Sequence, residues 1–199
     1  MPNDLSAKKI GALGKGIVSL SGEARLRALL RHMAVRMEQD DDKEWTTPLL
    51  PTLTLLSTSP SLPRPSLVFA FTPTAAHLNG LSNMHGGAMA TLFDFCTAAV
   101  LVLVTRPGRY HYWGVTRTLS TTYLRPVPVG TALLVECEAV AVGRQMSHLR
   151  GVLRGAAAGK DGGKGVVYAV CEHGMVNVNG AAVEAMEGQR LVEAGRGKL

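Results

Sequence analysis

The chain predicts an α+β fold in which a curved antiparallel sheet wraps around one long central helix. Three observations lead there. Gly86 to about Val104 is apolar on nearly every side, so other elements must cover it from most directions. Around it stand short segments, two before and four after, that are β-branched or alternate with period two between Pro- and Gly-rich turns. Finally, 199 residues suffice for one sizeable core and are too few for two comfortable domains. A single buried helix against half-polar strands satisfies all three. The expected organisation is an N-terminal extension over 1–45 with one amphipathic helix, the main domain over 46–179, and a flexible C-terminal tail over 180–199.

The first element follows a basic, glycine-dotted start. "GALGKG" (Gly11–Gly16) superficially resembles a phosphate loop, but it lacks the Gly-Lys-Ser/Thr ending and the preceding strand. Ser21 can cap a helix running to about Glu38, in which Leu26, Leu29, Leu30, Met33 and Met37 form one stripe. The acidic run Asp40–Asp42 ends it. "LPTLTLLST" and "PSLVFAFTP" read as two strands joined by the Ser59–Ser66 loop. The polar loop "HLNGLSNMHGG" leads into the central helix. After Pro107 four strands are expected over 110–124, 131–142, 147–156 and 165–178, separated by "RPVPVG", "GRQ" and "GKDGGKG".

Composition excludes several classes. Ala88–Val104 is the one membrane candidate, but it only reaches the lower length limit for a span and carries Asp94 at its middle. No membrane span is expected. No secretory leader is visible; the basic, hydroxyl-bearing start (Lys8, Lys9, Lys15, Ser19, Ser21) is at most a weak organelle address, opposed by Asp4 and Glu23. The expected location is cytoplasmic, with mitochondria as the alternative. Cys96, Cys137 and Cys171 are widely spaced and odd in number, so they read as buried thiols in a reducing compartment. Cys96 as a nucleophile is the sharper alternative, weakened by its apolar neighbours. The formal charge of +6 suggests an anionic partner. Nucleic acid is not expected, because no zinc-finger spacing, RNA-binding aromatic signature or basic stripe is present. No metal site is expected either: His111, His148 and His173 lack ligand spacing and read as surface or cross-strand residues.

Asp94, lying between Phe93 and Phe95, is the residue that most needs an explanation. A bare buried carboxylate costs several kcal/mol or more, so it must be protonated, paired or put to use. The stretch "HLNGLSNMHGGAMATLFD" and the later "GVTRTLSTTYLRPVPVG" resemble the hotdog-fold acyl-CoA thioesterases of the phenylacetate-degradation type, which include the mammalian thioesterase superfamily members. The resemblance covers about residues 50–178 and implies the hotdog fold. It implies hydrolysis of a fatty-acyl or aryl-acyl thioester of coenzyme A, with no cofactor beyond the coenzyme A of the substrate. By matching position, Gly86 and Asn79 would donate to the thioester carbonyl, Asp94 would activate water, Thr116 would help hold that water, and His85 would orient the site or assist the leaving thiolate. Gly87 allows close approach of substrate, and Arg125, Arg144, Arg150, Lys160 and Lys164 are candidates to contact the coenzyme A phosphates, solvated strand ends being the default reading for each.

The chemistry is sensible on its own terms. Charge builds on the carbonyl oxygen during thioester hydrolysis, and free amides at a helix start point at such charge. A thiolate leaves readily, so water and one carboxylate base suffice. Blander readings exist for each residue. Gly86-Gly87 could be a plain turn capped by His85, Asp94 could pair with Arg117 or Arg125, and Thr116 could be an ordinary strand threonine. Gly86 and Asp94 also lie eight residues apart, about 12 Å along a helix. One thioester therefore cannot touch both in one chain, which implies a homodimer; the family resemblance extends this to a homotetramer. A non-catalytic acyl-CoA binder is the alternative function. A hotdog hydratase is a third reading, disfavoured because its Asp…Asn-Pro…His or His…Pro-Gly patterns are missing.

Overall fold

The computed structural model describes residues 17, 19–39, 45, 46, 48–106, 108–110, 113–157 and 164–178. Gly11–Gly16, Asp40–Asp42, His111, Lys160 and the 180–199 tail lie outside the described residues. Helix α1 spans Gly22–Gln39, with acidic Glu23 in its first turn where the helix dipole favours negative charge. Glu23 also pairs with Arg27 one turn on, at 2.7 Å, and accepts a bond from the Thr58 hydroxyl. The predicted stripe is the docking face: Leu26 and Leu29 are buried, and Leu30 and Met33 pack against the core.

Six strands follow: β1 (Leu53–Ser59), β2 (Ser66–Phe71), then, after helix α2 (Gly86–Val102), β3 (Val115–Tyr123), β4 (Leu133–Val142), β5 (Met146–Gly155) and β6 (Val167–Val176). They form one antiparallel sheet in the order β1-β2-β4-β5-β6-β3. Alternation decides which face looks inward. Leu67, Phe69 and Phe71 of β2, and Leu133, Val135, Cys137 and Ala139 of β4, are all buried. They meet α2, whose Leu92, Phe93, Cys96, Ala99, Val100 and Leu101 are almost inaccessible. This is the all-round burial that the helix's composition requires. Sheet and helix approach tightly at Gly151, where an added Cβ would lie 2.6 Å from the Phe93 ring. Only glycine lets β5 close down there.

One expected strand is shorter than predicted. The 110–124 segment enters the sheet only at Val115. Tyr110, Trp113 and Gly114 have φ of 52°, 71° and 90°, left-handed values that cannot continue a strand. Tyr110 instead turns its side chain into the core, 1% exposed, and its amide donates to Asn177 Oδ1. Strand β3 pairs only with β6 among the described residues, leaving its other edge open.

Candidate active site

The start of α2 is built by its sequence to hold a free amide. His85 is the N-cap, and its Nδ1 accepts the Gly87 N–H at 2.9 Å. An added Cβ at Gly87 would sit 3.0 Å from that nitrogen, so the cap needs glycine there. The Gly86 N–H is one of the first amides of a helix, which have no intrahelical acceptor. Its carbonyl accepts the Tyr123 hydroxyl at 2.9 Å, which ties the helix start to the end of β3. Asn79 sits in the preceding loop. Its Oδ1 accepts the N–H groups of Leu81 (2.9 Å) and Asn83 (3.2 Å). That fixes the amide plane and leaves Nδ2 without a protein acceptor among the described residues. Two donors, one on each side of the loop-to-helix junction, are thus available.

Asp94 lies on the next part of α2, with its side chain 45% exposed. No arginine pairs with it among the described residues: Arg117 donates to Met146 Sδ and Arg125 to Val167 O. Instead the Thr116 hydroxyl donates to Asp94 Oδ1 at 2.7 Å. A bulge in β3 between Thr116 and Thr118 makes this contact. Leu119 is opposite His173 and faces the helix, so strict alternation would aim residue 117 inward. The extra residue re-aims Thr116 instead.

Of the two readings offered for His173, the surface one is overturned, because it is fully buried, and the cross-strand one holds, because it meets Thr116 on the neighbouring strand. Its Nε2 is 3.1 Å from Thr116 Oγ1 and 3.5 Å from Asp94 Oδ1, and its Nδ1 is 2.6 Å from Thr97 Oγ1. The proton arrangement follows from counting. The one proton of Thr116 goes to the carboxylate, so Nε2 donates to Thr116, while His173 Nδ1 and the Phe93 carbonyl, each 2.6 Å from Thr97 Oγ1, compete for the one proton of Thr97. The contacts run Thr97 to His173 to Thr116 to Asp94, with the Nε2 and Thr116 protons pointing toward the carboxylate. The bland fate of His148 does hold: it is exposed and bonded to Glu172 at 2.6 Å.

Burial pulls the His173 pKa below its ordinary value of 6.5; the Asp94 charge opposes the shift and His148 adds to it. Between 6.5 and the lower folded value the unfolded chain binds more protons than the native one, so stability falls as pH drops through that window. Wild-type protein is expected to lose urea resistance below about pH 6.5, and His173→Gln to lose it less steeply. Equal slopes in the two proteins would assign the acid sensitivity to other groups.

Among the described residues the candidate cationic contacts are not brought together, and Lys164 lies 3.7 Å from Glu136 Oε1. Arg125 follows Tyr123 and so lies at the Gly86 end of the sheet. Arg144 is in the β4–β5 turn at the opposite end. Arg150 lies on the outer sheet face, bonded to Glu172 at 2.8 Å. Burial alone would raise the Glu172 carboxyl, and its bonds from Arg150 and His148 more than reverse that, leaving it below the usual value. The cysteines are free and buried. Burial, with smaller repulsion from neighbouring acidic groups, pushes the Cys96 and Cys137 thiols well up. Burial likewise takes Cys171 to about 11. A thiolate nucleophile is therefore not at hand. Among the described residues no helix is long and apolar enough to cross a membrane, and no group of three His, Cys, Asp or Glu could hold a metal.

Comparison with known proteins bears on the fold. Residues 81–157 match the model of the Thioesterase superfamily. A Caenorhabditis elegans protein named "Putative esterase" is 38% identical over 90 residues, which are 45% of this chain and 50% of that protein. The match thus spans about half the length of that relative. Among solved structures, zebrafish thioesterase superfamily member 2 superposes with a TM-score of 0.62 at 21% identity, covering 80% of this chain and 99% of that one. A hypothetical thioesterase of Streptococcus pneumoniae, solved with coenzyme A, does so with a TM-score of 0.51 at 20% identity, covering 63% and 85%. The fold is the hotdog fold, and the thioesterase resemblance read from the sequence is borne out.

Proposed function

Starting from a hotdog fold whose residues 81–157 match the Thioesterase superfamily, we propose that this protein hydrolyses acyl thioesters of coenzyme A. One observation carries the reading: Asp94, half exposed, is held by Thr116 and backed by His173 on the helix whose first amide is free. Coenzyme A as the thiol carrier is supported by the S. pneumoniae neighbour, which was solved with it, and by the net positive charge. Arg125, at the Gly86 end, is the cation best placed to meet a phosphate.

The thioester carbonyl lies between the Gly86 N–H and Asn79 Nδ2. Water attacks the carbonyl carbon while Asp94 accepts its proton through Oδ2, which has no partner among the described residues. Thr116 and His173 keep Oδ1 engaged, so the carboxylate cannot swing away. Negative charge forms on the carbonyl oxygen and is met by the two donors, each worth about 10²–10³ in rate. Collapse breaks the C–S bond, releasing the acid and the coenzyme A thiolate, which takes up the proton.

The active unit is a homodimer. Gly86 and Asp94 are eight residues apart on one helix, about 12 Å along its axis and about 80° around it. The open edge of β3, with Val115 and Tyr123 about half exposed beside it, needs a cover, and a second copy supplies it. The direct test is release of free thiol from a panel of acyl-coenzyme A substrates. Stoichiometric thiol and acid are expected; tight binding of the substrates with no release would make the protein a binder instead.

A further inference from the structure

Resting on the hydrolase reading, we propose that the cavity beside the start of α2 is the acyl site. It takes an unsubstituted hydrocarbon acyl group, and Trp45 of the N-terminal extension forms one of its walls. The cavity has a volume of about 550 Å³ and is lined by Trp45 and Leu49 from the extension side, His77 from the loop after β2, and His85, Ala88 and Thr91 from α2. It reaches the site already described through His85 and Gly87. Gly87, Thr91 and Asp94 are spaced four and three residues apart, so they share one stripe of the helix.

The polar groups in this lining are already bonded to one another. The Trp45 indole N–H donates to Thr91 Oγ1 at 2.7 Å, and the Thr91 hydroxyl donates to Gly87 O at 2.9 Å. His77 Nδ1 accepts the Thr74 N–H at 2.9 Å, so Nε2 carries the proton and donates to Pro48 O at 2.8 Å. His85 Nδ1 is occupied by Gly87 N–H. His85 Nε2 is the one polar side-chain atom left, and with the Ala88 N–H, a first-turn amide without an intrahelical acceptor, it belongs to the helix start beside the oxyanion donors. Away from the helix start an occupant meets no free side-chain donor or acceptor, so a polar substituent there would lose its water without replacement. The wall is also fixed. His77 is buried and grips Pro48, Leu49 is buried, and Thr91 holds the indole, while Trp45 itself is 81% exposed. An anchored aromatic face left open to this extent is suited to receive a hydrocarbon chain.

The experiment compares kcat/KM over straight-chain acyl-coenzyme A substrates from acetyl to palmitoyl, and over ω-carboxy chains of matching length. Wild type, Trp45→Ala, Trp45→Phe and Ala88→Leu are used. Wild type is expected to prefer the plain chain over its ω-carboxy counterpart by about 10²-fold or more. Trp45→Ala should lower the ratio of best chain to acetyl by about tenfold and move the optimum to longer chains, with Trp45→Phe between. Ala88→Leu, which fills the cavity from the helix side, should move the optimum to shorter chains. Unchanged optima in Ala88→Leu and in either Trp45 variant, or equal use of ω-carboxy chains, would overturn the assignment. So would a Trp45→Ala protein that loses its native mass while keeping its chain preference, since Trp45 would then be a subunit contact. Should Trp45→Ala fail to fold, Trp45→Phe and Ala88→Leu decide. A wild type that releases no thiol from any substrate overturns the hydrolase reading instead. Calorimetry with thioether analogues of the same chains then reads the pocket alone, and affinity that does not depend on chain length would remove it.

Discussion

Replacing Asp94 with asparagine is expected to cut turnover by at least about 10²-fold while leaving KM nearly unchanged. The substitution isolates one property. Asparagine has the same size, and its Oδ1 can still accept the Thr116 hydroxyl that reaches Asp94 at 2.7 Å. The side chain is 45% exposed, so losing its charge costs the fold little. His173 also stays neutral, because Asp94 is the group that opposes the burial-driven fall in its pKa. What disappears is the ability to take a proton from water. In the proposed mechanism Asp94 meets the water and neither the acyl chain nor coenzyme A, so substrate affinity should hold. Steady-state kinetics on protein whose circular dichroism matches wild type gives the answer, and undiminished turnover there discards water activation by Asp94.

Most of the fold was legible because it rests on periodicity. The β4 alternation and the all-round apolar α2 state which faces must be covered, and the observed sheet and α1 cover them. The left-handed conformations of Tyr110 and Trp113 were not legible, since tyrosine and tryptophan give no local signal for positive φ. Within the site, the glycine pair behind His85 is a local signal, because caps and free amides are local features, whereas the roles expected of Asn79, Gly86 and His85 came from the resemblance. Thr116 was found by resemblance alone. Its inward aim depends on a bulge, and a period-two reading of β3 puts Arg117 there instead. His173 was missed although a signal existed: it is in phase with Ala169, Cys171 and Met175, all buried on β6. A histidine in an apolar phase needs a polar partner inside, and Thr97, one turn beyond Asp94 and fully buried, supplies it. Pairing across the core joins residues 76 positions apart, and no spacing rule reaches that far.

Mixing two differently broken subunits is expected to restore activity that neither has alone. Asn79→Ala removes an oxyanion donor, and Asp94→Asn removes the base. If the site were contained in one chain, every chain in the mixture would remain defective. Helix α2 runs unbroken from Gly86 to Val102, so the separation of about 12 Å between Gly86 and Asp94 is rigid, and a base must lie within hydrogen-bond reach of its water. On the proposed mechanism the donors of one subunit therefore work with the carboxylate of the other. In a mixed dimer with twofold symmetry, one site then carries both defects and the second carries neither. Random exchange makes about half of the dimers mixed, so about a quarter of all sites regain wild-type chemistry. Because each parent is slowed about 10²-fold or more, the recovered quarter dominates the measured rate, and the mixture should exceed either parent by more than tenfold. Native mass spectrometry establishes the exchange, and the thiol-release rate reads the outcome. Activity that stays at parental levels after confirmed exchange would confine Asp94 to its own chain. There its bonds to Thr116 and His173 would serve only to hold β3 and β6 against the helix.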